Sequence, residues 1–292
     1  PSLTVSQMFS SGDRPTAWGD VDGDGLTDMM FLEDQAFSYH QGGGGQLTLI
    51  ATTPGMYAEF LLDVVDATGD GRGDLFDIAD QVKFTTWPGD GLGGFTKGKT
   101  LMLSDPAEVG SAVDKVFDRR GRLAMVSFYA PVCDVCTSRR IVTLVNDGTG
   151  FTNPAPPQTF SQTVTDPVFA DLDDDDVPEL VMSNWSGGKN VEIHEMVTPG
   201  VLNLRGKLPG QKPRIGDIDG DGRDDVLTSE KDHINIYLAA TGYTAEPTPL
   251  VFPGIDEPVV ALVADLDGDG IDDFVVTALF GYDAVLVRSG CG

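Results

Sequence analysis

The chain reads as a succession of short apolar runs cut by polar, glycine-rich turns, and nowhere does the apolar spacing follow a helical period. One unit recurs. Runs such as Ala17-Trp18-Gly19, Asp63-Val64-Val65, Val168-Phe169-Ala170, Arg214-Ile215-Gly216 and Leu262-Val263-Ala264 each lead into an acidic loop. A second run leaves it: Met29-Met30-Phe31, Leu75-Phe76, Leu180-Val181-Met182, Val226-Leu227 and Phe274-Val275-Val276. Ahead of each loop a large apolar residue (Trp18, Val64, Phe169, Ile215, Val263) is followed by a small one in four of five copies (Gly19, Ala170, Gly216, Ala264). Successive side chains of a strand point to opposite faces, so this pair predicts an inner strand with one face in a core and the other against a crowded axis. A third strand is predicted over 37–40, 82–86, 141–145, 191–194, 234–238 and 284–287, and a fourth beyond a Gly-rich turn, as at 47–51 and 101–103.

The loops share the form D-x-D-x-D-G-x-x-D and occupy residues 20–28, 66–74, 171–179, 217–225 and 265–273. Neighbouring copies start 46, 46 and 48 residues apart (20 to 66, 171 to 217, 217 to 265), and the 105-residue gap from 66 to 171 holds a shortened, basic copy near Asp118. Six repeats of four antiparallel strands predict an all-β, six-bladed β-propeller forming a single domain over 1–292. Nineteen residues precede Asp20 and 28 run from Asp265 to Gly292, together one repeat. Residues 3–8 are therefore expected to supply the outer strand of the last blade and close the ring, removing its open sheet edges.

Carboxylates at alternate positions repel one another unless a cation lies among them, and a flexible oxygen-rich loop suits Ca²⁺ better than Mg²⁺. The expected ligands are side chains at loop positions 1, 3, 5 and 9 and the carbonyl at position 7, with Gly at position 6 for the turn. In chain order these are Asp20, Asp22, Asp24, Leu26 and Asp28; Asp66, Thr68, Asp70, Arg72 and Asp74; Asp171, Asp173, Asp175, Val177 and Glu179. The last two sets are Asp217, Asp219, Asp221, Arg223 and Asp225, then Asp265, Asp267, Asp269, Ile271 and Asp273. Thr68 removes one charge and predicts a weaker second site, while Asp176 stands where Gly is usual and is among the residues that tolerate left-handed geometry. An EF-hand would need a bidentate Glu at position 12 and flanking helices; the residues there are Phe31, Asp77, Met182, Thr228 and Val276. Solvated Asp-Gly turns explain one such loop but not five in register.

These loops, with hairpins such as Asn146-Asp147-Gly148-Thr149-Gly150-Phe151 and Gly91-Leu92-Gly93-Gly94-Phe95, resemble the FG-GAP/VCBS repeats of integrin α-subunit propellers and of fungal lectins of the Psathyrella velutina type. The resemblance spans nearly the whole chain and implies calcium-binding blades. It is poorly specific for function, since this scaffold carries adhesion, sugar binding and occasional catalysis.

The net charge of −27 is largely a metal-site effect. Five Ca²⁺ ions would return ten charges and leave about −17, an acidity that opposes binding to nucleic acid or anionic membranes. No apolar stretch of about twenty residues is present to insert into a bilayer. Loops of this kind fill where calcium is millimolar, which points to an extracellular or cell-surface location. Of the three cysteines, Cys133 and Cys136 lie in an insertion of the third repeat and are expected to form a local disulfide; zinc or redox chemistry would need more ligands or a helix N-terminus. Cys291 is the odd one, and with Pro1 it fits a domain cut from a longer surface protein.

Acidic loops joining strands one and two all fall on one face, so ligand recognition is expected on the other. Trp185, within Asn184-Trp185-Ser186-Gly187-Gly188, offers a platform for a sugar ring, with packing against a neighbouring blade as the competing reading. Phe280, Tyr282 and Tyr129 are further candidates. No Ser or Cys nucleophile motif accompanies His40, His194 or His233, and the paired carboxylates are committed to metal, so no catalytic residues are assigned. The expected role is non-catalytic recognition of a glycan or an extracellular protein (lectin-like or adhesive). A spacer in a larger surface protein and a calcium-dependent polysaccharide-active enzyme are the alternatives.

Overall fold

The computed structural model describes residues 15–24, 28–33, 36–41, 48–54, 60–79, 83–103, 112–117, 122–129, 139–148, 150–160, 164–185, 188–243, 248–265, 269–279 and 284–289. Every sheet is an antiparallel meander in chain order. The first joins β1 (Pro15–Gly19), β2 (Asp28–Glu33), β3 (Ala36–Gln41) and β4 (Thr48–Pro54). The second joins β5 (Phe60–Val65), β6 (Asp74–Ala79), β7 (Lys83–Trp87) and β8 (Thr100–Met102). The third runs through β9 (Ala112–Phe117), β10 (Leu123–Tyr129), β11 (Arg139–Asn146) and β12 (Phe151–Thr152). The short β13 (Gln158–Phe160) also pairs with β11, as a fifth strand of the third sheet off the meander, and the fourth sheet joins β14 (Val164–Ala170), β15 (Glu179–Asn184), β16 (Asn190–Thr198) and β17 (Val201–Pro209). The fifth joins β18 (Gln211–Gly216), β19 (Asp225–Ser229), β20 (His233–Tyr237) and β21 (Thr248–Val251). The sixth holds β22 (Pro258–Ala264), β23 (Asp273–Ala278) and β24 (Ala284–Val287).

Such all-β meanders are consistent with propeller blades. Residues 3–8, expected to supply a fourth strand to the sixth sheet, lie outside the described residues, as does the degenerate turn around Asp118. The fourth sheet departs from expectation in length. Its hairpin turns on Pro199-Gly200, with Gly200 at φ 80°, and the tight turn lets the β16–β17 ladder run on to the Thr198–Val201 pair. Among the described residues the one helical segment is a 3₁₀ turn at Ala239–Thr241, and no helix is long and apolar enough to cross a membrane.

The chain divides into two compact units, Pro1–Val132 with Arg140–Pro157, and Cys133–Arg139 with Gln158–Gly292. Within the first, β1 lies against β5 and β5 against β9; within the second, β14 lies against β18 and β18 against β22. Cores form where neighbouring sheets face each other. In the first unit Phe76 and Phe84 stack at 5.5 Å, and Phe151 of the next sheet meets them edge-on at 5.3 and 5.7 Å. In the second unit Val181, Ile193 and Leu208 pack against Ile215, Val226 and Tyr237, and Leu227, Ile234 and Ile236 against Val260, Phe274 and Val276. Alternate residues of β19 thus serve both faces of the fifth sheet, Val226 toward the fourth sheet and Leu227 toward the sixth, and every residue of that strand is buried.

The large–small pair before each loop has a steric explanation. A Cβ on Gly19 would stand 2.6 Å from the Val64 carbonyl oxygen and 2.7 Å from its Cβ. A Cβ on Gly216 would meet Val263 Cγ1 at 2.4 Å and Asp272 Oδ2 at 2.6 Å. The large residue of one inner strand therefore fills the space left by the missing side chain of the strand before it. Gly19→Ala is expected to destabilise the protein by about 1–3 kcal/mol through overpacking. Urea denaturation should show a lower midpoint with an unchanged slope, and an unchanged midpoint would contradict the steric account.

Candidate metal centres

Each acidic loop is folded by its own carboxylates. The position-1 residue caps the turn: Asp66 Oδ1 accepts N–H groups from Gly69 (2.7 Å) and Asp70 (3.1 Å), and its Oδ2 accepts from Gly71 (2.8 Å). Asp217 does the same with Gly220, Asp221 and Gly222. Position 5 serves a different end, since Asp70, Asp175, Asp221 and Asp269 each accept the N–H of position 7 (Arg72, Val177, Arg223, Ile271). Residues at positions 4 and 6 sit at positive φ, supplied by glycine in most copies (82° at Gly71, 86° at Gly222) and by Asp174 (61°) and Asp176 (67°) in the 171–179 loop.

With the turn so held, positions 1, 3 and 9 converge. Asp20, Asp22 and Asp28 form one cluster, Asp171, Asp173 and Glu179 a second, and Asp217, Asp219 and Asp225 a third, with one carboxylate oxygen from each residue within 4.8 Å of the others. Position 5 (Asp24, Asp175, Asp221) stands outside these clusters and is solvent-exposed. Leu26 and Asp267 lie outside the described residues. The 66–74 loop has the same fold with Thr68 at position 3, and Thr68 Oγ1 is buried without a hydrogen-bond partner among the described residues. An orphaned buried oxygen between Asp66 and Asp74 is what a missing cation would leave. All these groups are hard oxygen donors and fit a divalent ion of the Ca²⁺ type.

Position 9 is buried in every copy: Asp28, Asp74, Glu179, Asp225 and Asp273. One oxygen accepts the N–H of position 2, at 2.8 Å from Val21, 2.9 Å from Ala67, 2.8 Å from Leu172 and 3.0 Å from Ile218. The other oxygen reaches the end of the third strand of the same sheet, accepting from Gly89, Ala239 and Ser289 at positions 74, 225 and 273. Burial, reinforced by the nearby charges of Asp219 and Asp221, pushes the Asp225 carboxyl up to about 6 despite its two N–H donors. Burial likewise raises Asp74 and Glu179 above the usual carboxylate range.

In the 171–179 loop a side chain that the motif does not contain enters the site. Arg205, from β17, donates from Nη1 to Asp173 Oδ2 at 2.8 Å and to Glu179 Oε1 at 2.6 Å, so a guanidinium stands among the carboxylates. Arg223 instead pairs with Asp221 of its own loop and leaves the 217–225 cluster to its acids. Adjacent loops are also tied together. Gly73 donates to the Val21 carbonyl at 3.2 Å and Asp272 to the Asp217 carbonyl at 2.8 Å, both from position 8. Between the loops at 171 and 217 the bond is made by Tyr243, whose hydroxyl lies 3.0 Å from the Leu172 oxygen and 2.6 Å from the Asp224 oxygen. In the third repeat, which lacks an acidic loop, Asn146 Nδ2 donates to the Ala67 carbonyl at 2.7 Å.

Of the residues singled out for recognition, Trp185 is exposed (46 %), and its Nε1 donates to Thr165 Oγ1 at 2.7 Å. That bond orients the ring at the end of its sheet, half exposed. Tyr129, Phe280, Tyr282, Cys133 and Cys136 lie outside the residues whose side chains are described. His194 is buried with Glu192 (3.2 Å), which also takes Lys207 at 2.7 Å and Asn184 at 2.8 Å. Arg205 and Tyr243 escaped the sequence reading because they come from a fourth strand and from a turn beyond a third, where the chain has no fixed motif; Asn146 was visible as part of a hairpin signature, but its reach to the Ala67 carbonyl was not.

A carboxyl whose folded-state pKa exceeds its unfolded value near 4 holds a proton that the unfolded chain has released. In chelator, stability is therefore expected to be higher near pH 4 and to fall as pH rises through about 6. Any gain from a bound divalent ion should follow the opposite course, full at pH 7.5 and small at pH 5. Thermal unfolding across that range checks both trends, and a chelated protein most stable at neutral pH would contradict them. For Arg205→Met, removal of the competing guanidinium should strengthen divalent-ion binding at one site about tenfold, equivalent to about 1.4 kcal/mol. Calorimetric titration reads this directly, and unchanged affinities would show that the arginine leaves the site when the ion enters.

Comparison with curated proteins gives no match. A match to a family model does come from the stretch that begins at the 217–225 loop, passes through β19 to β22 and the 265–273 loop, and ends in β23: residues 217–276 are an FG-GAP-like repeat.

Proposed function

We propose that the chain is a calcium-stabilised, six-bladed propeller that serves outside the cell, or at its surface, as a non-catalytic recognition module for carbohydrate. What carries this reading is the division of labour along the strands. Hard-oxygen clusters collect where first strands turn into second strands, and at the other end of the fourth sheet stands an exposed tryptophan whose ring is fixed by its own hydrogen bond. Five structural Ca²⁺ ions at the acidic loops, with residues 3–8 completing the sixth sheet, fit the repeat spacing. Loops with several exposed ligands favour millimolar calcium and thus an extracellular setting. The calcium is structural in this reading, because its removal leaves buried carboxylates facing one another.

A glycan-array screen of the calcium-loaded protein, repeated in chelator, tests the proposal. Specific, calcium-dependent binding is expected, together with its loss in Trp185→Ala at an unchanged melting temperature. A blank array from folded, calcium-saturated protein would refute it.

A further inference from the structure

Three sheets of the second unit converge at the end of the strands away from the acidic loops. The pairing of Gln211 with Ser229, and of Gly216 with Asp225, sets Gln211 and Ser229 at that far end. There they line a cavity of about 320 Å³, beside Trp185 and three lysines, Lys189, Lys212 and Lys231. A volume of this size is at the low end for small-molecule sites and suits one monosaccharide unit.

Two features of the wall call for a ligand. Gln211 and Ser229 are buried (5 % and 7 % exposed), yet Gln211 Nε2 and Ser229 Oγ have no hydrogen-bond partner among the described residues. Buried polar atoms are seldom left unpaired, and both are closed off from the cavity as they stand, so a turn of the Gln211 and Ser229 side chains is what would bring an amide donor and a hydroxyl to a partner carrying hydroxyl groups. The local charge also differs from that of the chain. Against 46 acidic and 19 basic residues overall, three lysines line this cavity with two glutamates, Glu230 and Glu257, and the charge of Lys231 acts on Asp232 as well. The lining is thus close to neutral in a strongly acidic chain, and its three ammonium groups are donors that an entering anion can pair with directly.

The walls are firm. Lys212 holds φ 53°, its N–H donating to Ser183 Oγ at 2.7 Å, and Glu257 holds φ 48° across the opening. A Cβ on Gly210 would stand 2.3 Å from Thr228 Oγ1, so the backbone leading into Gln211 is pressed against β19. Leu279 and Pro258 add apolar surface facing the same space as the Trp185 ring.

We infer that this cavity binds a carboxylated monosaccharide at the end of a glycan, with the lysines pairing its carboxylate, Gln211 and Ser229 meeting ring hydroxyls, and Trp185 stacking on its apolar face. The inference rests on the recognition role proposed above and adds the ligand's charge and location. No bond is made or broken.

Calorimetric titration of the calcium-loaded protein with methyl β-glucuronide, methyl β-glucoside and N-acetylneuraminic acid tests it. The two pyranosides differ only at the carboxylate. Binding of the glucuronide, the sialic acid or both at least tenfold more tightly than the glucoside is expected, weakening as salt is raised. Whichever acid is preferred identifies the source of the carboxylate. The exposed pair Lys189→Gln/Lys231→Gln should bring the acid down to the level of the glucoside without lowering the melting temperature, and Gln211→Leu should weaken both pyranosides. Equal binding of glucuronide and glucoside, no binding of any saccharide, or an acetylated aspartate peptide binding as tightly as the glucuronide would each overturn the assignment. If array hits persist in those cases, the recognition role stands and only this cavity's ligand is wrong; a blank array removes both.

Discussion

The buried carboxylate at the ninth loop position is the constraint from which the sheets take their form. It holds the turn after the first strand through an N–H of position 2 and, in three copies, the close of the third strand through an N–H such as that of Ala239. One side chain thus fixes where strand one ends, where strand two begins and where strand three must stop. Such a group is costly to bury ionised, and its neighbours at positions 1 and 3 add repulsion. The loop geometry and the need for a cation therefore have a single cause: the residue that organises the sheet is the one that most requires neutralisation.

Three responses to that requirement coexist. At Asp217, Asp219 and Asp225 the acids are left to one another and a divalent ion is the natural complement. At Asp171, Asp173 and Glu179 the chain supplies Arg205, a monovalent cation delivered by its own fourth strand. The Glu at position 9, longer by one methylene, reaches this guanidinium where the aspartates at the same position reach backbone N–H groups. The 66–74 loop takes a third course, lowering its charge with Thr68 and leaving an oxygen without a partner among the described residues.

Much of this was legible in the sequence, because the signals were local and repeated. The acid at position 1, the tight turn at position 6 and the alternation of Val64 or Val263 with Gly19 or Gly216 are written within a few residues and recur in register; that the position-1 acid also caps the turn came from the structure. The structure adds that the small residue is needed by the neighbouring sheet rather than by its own. What escaped the sequence lies between repeats or across the strands of one sheet. Tyr243 reaches back 71 residues to the Leu172 carbonyl, and Arg205 reaches 26 residues to Glu179. Gln211 and Ser229 are ordinary strand termini whose significance comes only from sharing a cavity with three lysines drawn from separate segments. No spacing rule announces such a gathering.

The acidic clusters that begin at Asp171 and Asp217 lie at one end of the strands of the second unit, and the end that holds Lys189, Lys212 and Lys231 carries Glu230, Asp232 and Glu257 as well. Both ends of the sheets therefore bear acids, and filling the clusters with divalent ions removes negative charge from one end alone. The metal content of the surroundings then sets how unevenly charge is spread along the strands, and with it which end a negative boundary repels less.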